Sequence, residues 1–384
     1  MTTVGFDTRF ISSSRTGLGT YSRSLLSALI GQGSRYDFCL FTSDASSLDE
    51  FTGYDHVHIH EVGAVRFPAG GRLGSLIYEQ FSLAAAIARQ KPNLVHFPYY
   101  VEPALTRKPF IVTIHDLDTF LPSGRHSAWT RAYHNNLARI MARRADAVIT
   151  ISEYSRGEIM RYLDIPREKV HVIYDGLADN FRETLLADTH ASPVSKSSSN
   201  EYFLYAGGLG MRKNLRRMVD AFALAREVNA SGVRLVITGE LAEVGSALMR
   251  YSDDKGYGDF IEFAGYVDDD ALPGLYRGAL ASIYPSLNEG FGLPVIESMA
   301  CGTPVITSRD SAMEEIAGGR AILIDPYDVT DMAAAIGALM DDRSLAASIG
   351  AAGFEQAGKY SWDDAAERCI ELYGRILARR GANR

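Results

Sequence analysis

The stretch EGFGLPVIESMACGTPV, Glu289 to Val305, decides the reading of the whole chain. It follows an apolar run, Leu280 to Tyr284, whose composition predicts a buried strand. The loop Asn288-Glu289-Gly290-Phe291-Gly292 is punctuated by glycine. Pro294 suits the first turn of a helix, because its fixed φ is helical and the N–H it lacks is unpaired there in any case. Gly302 suits the left-handed cap that closes the helix. Pro304 to Thr307 then resumes as strand. Strand, Gly-rich loop, helix and strand make a βαβ unit, whose helix start offers unpaired N–H groups to an anion. Two carboxylates frame that position. Val295 and Met299 share one helical face, so Glu297, two residues from each, points away from it. The plain alternative for Glu297 is a solvated first-turn glutamate favoured by the helix dipole.

The pattern E-G-F-G-L-P-x-x-E-x-x-A-x-G-x-P-V resembles the donor-site signature of family-4 retaining glycosyltransferases. Glu289 and Glu297 match that family's E-x7-E pair. The resemblance implies two Rossmann-like, doubly wound α/β domains facing across a cleft, the GT-B architecture. It also implies a nucleoside diphosphate sugar as substrate, with no bound metal and no cofactor. Glu289 is then the catalytic carboxylate of the second domain, while Gly290, Phe291, Gly292, Leu293 and Glu297 bind the donor.

Composition agrees with such an enzyme. A chain of 384 residues exceeds one typical core and predicts two domains. Its formal net charge of −8 argues against nucleic acid as a partner. Cys39, Cys301 and Cys369 are scattered, odd in number and without metal-ligand spacing, as expected in a reducing cytoplasm. The start MTTVGFDTRF does not read as a signal peptide. No window reaches the roughly 18 uninterrupted apolar residues of a spanning helix, so any association with the inner face of the plasma membrane is expected to be peripheral.

In the first half, strands are expected at Val4–Phe6, Phe38–Phe41, Val57–Ile59, Leu94–Phe97, Phe110–Ile114, Ala147–Ile151 and Val170–Tyr174. A polar loop ending in Gly17-Leu18-Gly19 precedes a helix over Tyr21–Ile30. It reads either as a plain βα turn or, by the resemblance, as the glycines Gly17 and Gly19 that let backbone approach the donor phosphates. Phe110–Ile114 is a continuous β-branched run ending in His115-Asp116. Ligands of open α/β sheets sit beyond such strand ends. A lone histidine there is commonly a turn residue, but T-I-H-D-L matches the family's context for a catalytic histidine beside the transferred sugar, which points to His115. His96 reads as a strand-end histidine. The arginines of the helix over 131–144 read as a solvated face, with anionic lipid as the alternative. Asp175-Gly176 stands where the family shows Asn-Gly, and both pairs suit a tight turn.

Residues 183–200 are Ser-rich and lack apolar periodicity, which predicts an interdomain linker. The domains are therefore expected at 1–182 and 201–358, with a last helix in 359–384 crossing back to the first. The second domain restarts with the strand Tyr202–Ala206 and the loop Gly207 to Lys213. Asn214 is expected to cap the following helix. Arg212 and Lys213 stand just before that helix and suit a diphosphate. By G-x-x-x-R-K-N they resemble the family's phosphate motif, with Gly208 in the same loop. Tyr266 and Val267 follow the strand Ile261–Phe263; they are either packing residues or, as the family implies, neighbours of the nucleotide base.

The expected reaction is glycosyl transfer to a hydroxyl of a glycan or lipid-linked acceptor, with retained configuration. The D-T-R stretch, the GLG loop, Tyr78-Glu79-Gln80 and T-I-H-D-L resemble bacterial mannosyltransferases of surface-polysaccharide assembly, which favours GDP-mannose as donor. UDP-glucose or UDP-GlcNAc is the alternative donor, and a non-catalytic nucleotide-sugar-binding protein the alternative class. A glycoside hydrolase using the two glutamates leaves Arg212, Lys213 and the phosphate-type glycines unexplained. A Rossmann dehydrogenase lacks an acidic partner for the GLGTYS loop.

Overall fold

A computed structural model describes residues 2–11, 17–33, 35–63, 78–100, 103, 106–120, 128–187, 201–229 and 232–382. The chain forms two compact units, Met1–Gly176 with Ser361–Arg384, and Leu177–Tyr360.

The first unit is built on a seven-stranded sheet. Its strands are β1 (Thr3–Asp7), β2 (Asp37–Thr42), β3 (Val57–Glu61), β4 (Leu94–Phe97), β5 (Phe110–Thr113), β6 (Ala147–Thr150) and β7 (Val170–Val172). They lie in the order β3-β2-β1-β4-β5-β6-β7, and every pair is parallel. Central strands such as β4, β5 and β6 are buried at every residue, as parallel strands covered by helices on both faces must be. The edge strand β3 mixes partly buried and exposed residues instead. Phe97, Val112, Ile114 and Val148 pack against Met141 and Ile159 of flanking helices to form the core.

The second unit carries β8 (Tyr202–Ala206), β9 (Arg234–Thr238), β10 (Ile261–Gly265), β11 (Ala281–Tyr284), β12 (Val305–Ser308) and β13 (Ile322–Ile324). Their order is β10-β9-β8-β11-β12-β13, again all parallel. Both sheets thus reverse direction beside their first strand, between β1 and β4 and between β8 and β11. Open α/β sheets bind ligands at such reversals, beyond the carboxyl ends of the strands.

The unit boundaries differ from the expected ones. Helix Asp179–Ala187 belongs to the second unit, so residues 183–187 are helix where linker was expected. Phe181 and Thr184, three apart, are its buried face, a short amphipathic signal inside a polar stretch. Residues 188–200 lie outside the described residues. The final helix, Trp362–Ala382, packs on helix Gly17–Gly31 within the first unit. Its Tyr373 hydroxyl meets His96 Nδ1 at 2.6 Å, and His96 Nε2 meets the Thr113 hydroxyl at 2.9 Å. His96 is wholly buried, which holds its pKa down at about 3, so the ring is a neutral structural tie.

Asp175 is buried at 3% exposure, and its Oδ1 has no partner among the described residues. Burial therefore pushes its carboxyl well above the usual range. Gly176 is fixed by close approach, since a Cβ there would lie 2.2 Å from the backbone nitrogen of Trp362. The Asp-Gly pair, expected only as a tight turn, is buried where two chain segments cross.

Candidate active site

The carboxyl ends of β8 and β11 carry the two loops singled out in the sequence. After β8, the chain runs from Gly207 (φ +149°) to a single 3₁₀ turn, Met211–Lys213. After β11 it runs through Ser286 and Asn288 to Glu289 and Gly292. Leu287 donates its N–H to the Arg212 carbonyl at 2.8 Å, and Arg212 Nη1 donates to the Asn288 carbonyl at 2.9 Å. The Tyr205 hydroxyl holds the Gly208 carbonyl at 2.8 Å. These bonds lash the two loops into one surface.

Asn214 stands at the start of the next helix and its carbonyl accepts from the Met218 N–H at 3.3 Å, but its side chain serves this lashing instead of capping the first turn. It adopts a left-handed conformation, φ 61°. Its Nδ2 donates to the carbonyls of Pro285 and Pro326 at 3.1 and 2.6 Å, and its Oδ1 accepts from Arg217. Helix Leu215–Asn229 begins one residue later.

At the centre lies Glu289. Its Oε2 accepts from Arg212 Nη1 at 2.5 Å, and its Oε1 accepts from the Lys213 ammonium. Burial works to raise this carboxyl, but Lys213 and Arg212 outweigh it and hold the group below the ordinary glutamate range. Glu289 is thus an anion already occupying a two-cation seat. That seat suits a more highly charged anion such as a diphosphate.

Helix Leu293–Ala300 projects from the same loop. Gly292 is required before it: φ is +113°, and a Cβ would come within 2.8 Å of the Met313 side chain. Pro294 stands in the first turn. The far end closes as expected, with Gly302 left-handed at φ +65°. Gly302 donates to the Met299 carbonyl at 2.9 Å, and Thr303 donates to the Ser298 carbonyl at 3.0 Å, a Schellman cap. Val295, Ile296, Met299 and Ala300 are buried at 0% exposure, which fixes the helix and turns Glu297 off the packed face.

Glu297 is partly buried rather than fully solvated. Its Oε2 accepts from the Tyr276 hydroxyl at 3.1 Å, and that hydroxyl meets the Tyr284 hydroxyl at 2.7 Å. Burial raises its pKa to about 7, with Asp269 adding to the effect while Tyr276 and Lys213 oppose it. Neither tyrosine was foreseen as a partner: Tyr284 read only as the end of an apolar run, and Tyr276 did not stand out in the sequence.

Gly208 would meet nothing within 4 Å if given a Cβ, so packing does not demand glycine there. Phe291 is buried edge-on against Tyr360, with ring centroids 5.6 Å apart. Tyr266 is 52% exposed at the end of β10, which removes it from the core. Val267 is partly buried beside it.

In the first unit, helix Gly17–Gly31 starts earlier than expected, so Gly17 and Gly19 lie in its first turn. Residues 12–16 lie outside the described residues. A Cβ on Gly17 would meet nothing within 4 Å, again leaving room rather than filling it. His115 follows β5, and its Nε2 lies 2.9 Å from the Pro98 carbonyl. A carbonyl can only accept, so Nε2 carries the proton and Nδ1 is an acceptor. Burial lowers the pKa of the ring and keeps it neutral, against smaller raising effects from Pro98 and Asp116. Tyr21 packs edge-on against His115 at 4.4 Å between centroids, and its hydroxyl meets the Thr113 hydroxyl at 3.2 Å. Tyr21 and Thr113 therefore set the imidazole's orientation, and neither stood out in the sequence.

The profile of the family described as "Glycosyltransferase Family 4" matches residues 15–180, and that described as "Glycosyl transferases group 1" matches residues 188–356. The chain belongs to the family-4 glycosyltransferases. The O-antigen chain mannosyltransferase B of Escherichia coli is 28% identical to this glycosyltransferase over 374 residues, 93% of this chain and 96% of that one. The O-antigen chain mannosyltransferase RfbU of Salmonella typhimurium is 26% identical over 327 residues, 84% and 87% of the two chains. Among solved structures, the sucrose-phosphate synthase of Thermosynechococcus elongatus superposes with a TM-score of 0.78 at 20% identity, covering 98% of this chain and all 100% of that one. Anabaena HepE in complex with UDP-glucose gives a TM-score of 0.72 at 19% identity, covering 98% and 100%. The fold of this glycosyltransferase is GT-B, with two Rossmann-like domains.

Proposed function

We propose that this glycosyltransferase moves a mannosyl group from a nucleoside diphosphate sugar, with GDP-mannose the favoured donor, to a hydroxyl of a glycan or lipid-linked acceptor in bacterial polysaccharide synthesis. Configuration is retained, and no metal takes part. The observation carrying this reading is the seat formed by Arg212, Lys213 and Glu289 at the reversal of the second sheet. The O-antigen mannosyltransferases to which the chain is similar support the choice of sugar.

The leaving diphosphate gains negative charge as the glycosidic bond breaks. Arg212 and Lys213 stabilise that charge together with the N–H groups that open helix Leu293–Ala300, so fixed protein charge does the work of an ion. Gly208 and Gly290 leave room for the phosphates, with Gly17 and Gly19 doing so in the first unit. Phe291 and Leu293 shape the loop around the donor. Glu297 accepts hydrogen bonds from the ribose hydroxyls, and Tyr266 and Val267 flank the base. Glu289, displaced from its cations by the diphosphate, accepts from hydroxyls of the transferred sugar and faces the developing oxocarbenium. His115, neutral with Nδ1 as acceptor, contacts a sugar hydroxyl. The enzyme works in the cytoplasm, in peripheral contact with the plasma membrane that holds a lipid-linked acceptor; among the described residues no helix is long and apolar enough to cross a membrane.

Screening nucleotide sugars for hydrolysis and transfer tests the reading. GDP-mannose is expected to turn over fastest, and EDTA to leave the rate nearly unchanged. Turnover confined to another donor, or strict dependence on magnesium or manganese, refutes the corresponding part.

A further inference from the structure

We propose that Tyr276 and Tyr284 are positioning residues of the donor site. Their hydroxyls form a one-way hydrogen-bonded chain from the end of β8 to Glu297, and that chain fixes the carboxylate for the nucleotide. The inference rests on the reading of Glu297 as a nucleotide contact and names what holds it in place.

The direction of the chain follows from what each group can do. Burial pushes both phenols far above their ordinary range, so each keeps its proton. An ionised carboxylate only accepts, so Tyr276 spends its single proton on Glu297 Oε2 at 3.1 Å. The Tyr276 oxygen then receives the proton of Tyr284, 2.7 Å away. The Tyr284 oxygen is filled in turn by the Ala206 backbone N–H at 3.3 Å, a group that only donates. Hydrogen bonds in series with one sense polarise one another in a low-dielectric interior. Ala206 ends β8, directly before Gly207 and the loop that carries Arg212 and Lys213. The chain therefore ties the carboxylate to the same frame as the two-cation seat.

Packing fixes both rings. Tyr276 is 0% and Tyr284 3% exposed. Phe181 packs edge-on against Tyr276 with centroids 5.7 Å apart, and Tyr205 lies 5.6 Å from Tyr284. The Thr303 hydroxyl holds the Tyr276 carbonyl at 2.5 Å. Oε2 of Glu297 is thus committed inward, while Oε1 accepts no hydrogen bond among the described residues and is left for a ligand. The other charged groups acting on Glu297 are Asp269, which raises its pKa, and Lys213, which lowers it. Removing a neutral hydroxyl leaves both of those charges in place.

The test reads Glu297 itself. Full-length protein carrying carboxyl-labelled glutamate is titrated by NMR without nucleotide, and the Glu297 resonance is identified by its loss in Glu297→Gln. Its midpoint in wild type is expected at about 7. Tyr276→Phe removes a donor to the charged form and is expected to raise the midpoint by about one pH unit. Tyr284→Phe keeps the last bond and is expected to give a smaller rise. Calorimetric affinity for GDP at pH 7 is expected to fall about fivefold in Tyr276→Phe, as the ionised fraction falls, with the gap narrowing towards pH 9. In the Glu297→Gln background, Tyr276→Phe is expected to cost no further affinity. Tyr276→Phe strands the buried Tyr284 proton and can lower stability, so the double variant Tyr276→Phe/Tyr284→Phe, which removes both hydroxyls, is titrated alongside and is expected to show the same rise. An unchanged Glu297 midpoint in both variants overturns the proposal. So does an affinity loss that is equal at every pH and persists in Glu297→Gln, because the tyrosines then only pack. A raised midpoint with unchanged GDP affinity upholds the chain and removes Glu297 from the nucleotide, so the two readings fail separately.

Discussion

Replacing Glu289 by Gln should tighten the binding of a nucleoside diphosphate while lowering transfer. In the ligand-free protein Glu289 neutralises Arg212 and Lys213, so an incoming diphosphate competes with it for both cations. Gln keeps the volume and removes the charge. Arg212 stays in place because its guanidinium also holds the Asn288 carbonyl. A hydrogen bond to a charged group contributes about 1.5–3 kcal/mol net, which corresponds to roughly 10–150-fold in affinity. The Arg212 and Lys213 side chains are 28% and 18% exposed, so water already weakens the competition, and the lower end, about tenfold, is expected. The variant without ligand should melt lower than wild type, since two adjacent cations lose their counter-charge. Its gain in melting temperature on adding GDP should be larger than that of wild type. The pH behaviour follows from the depressed carboxyl: the stabilisation from the ion pair is present above the unfolded glutamate range and is lost as pH falls through the lower folded value. Calorimetric titration of GDP into both proteins checks the point. Affinity equal to or weaker than wild type would refute the competition, meaning that Glu289 orients the cations or touches the nucleotide itself.

The strands were legible because apolar, β-branched runs have no other stable place than a covered parallel sheet. Phe110–Ile114 and Ala147–Ile151 contain β5 and β6, displaced by a residue at the end. Gly302 was equally readable, since few residues besides glycine close a helix left-handed. Short elements were not legible. β13 is three residues, too few for any periodicity, and its place is set by pairing with β12. Helix Asp179–Ala187 was missed because its short buried face runs into a Ser-rich tract that dominates any window. Long-range polar partners are written nowhere in local sequence. Asn214 looks like a helix cap, yet its amide is spent on Pro285 and Pro326, residues far along the chain. Tyr276 and Tyr284 reach Glu297 only because β11 and two helices converge there. The carboxylates and cations of the site were thus readable as a motif, while the groups that tune their charge came from tertiary packing.

Asp175→Asn should stabilise the protein at neutral pH by about 1–3 kcal/mol, the cost of an uncompensated buried polar group, or roughly 2–4 °C in melting temperature for each kcal/mol. Because the folded carboxyl is raised, the native aspartate is tolerated below its unfolded pKa and costs stability as pH rises, so the advantage of Asn should grow in thermal melts as pH rises above the ordinary aspartate range. A lower melting temperature for Asp175→Asn at neutral pH would show that the carboxylate has a partner. Glu297 gives the sharpest pH test. Its pKa of about 7 means that the free enzyme is mostly protonated near pH 6 and mostly ionised near pH 8. A carboxylate accepts from both ribose hydroxyls with charge-assisted bonds, whereas the neutral acid offers weaker ones. Nucleotide affinity should therefore rise with pH by several-fold between about 6 and 8 and then level off, since binding selects the ionised form. Glu297→Gln should bind more weakly at pH 8 and lose that slope. The diphosphate's own ionisation also falls in this range, so the comparison must be with the variant rather than with a flat line. If wild type and Glu297→Gln share the same pH profile, the slope belongs to the ligand, and Glu297 is not the ribose acceptor.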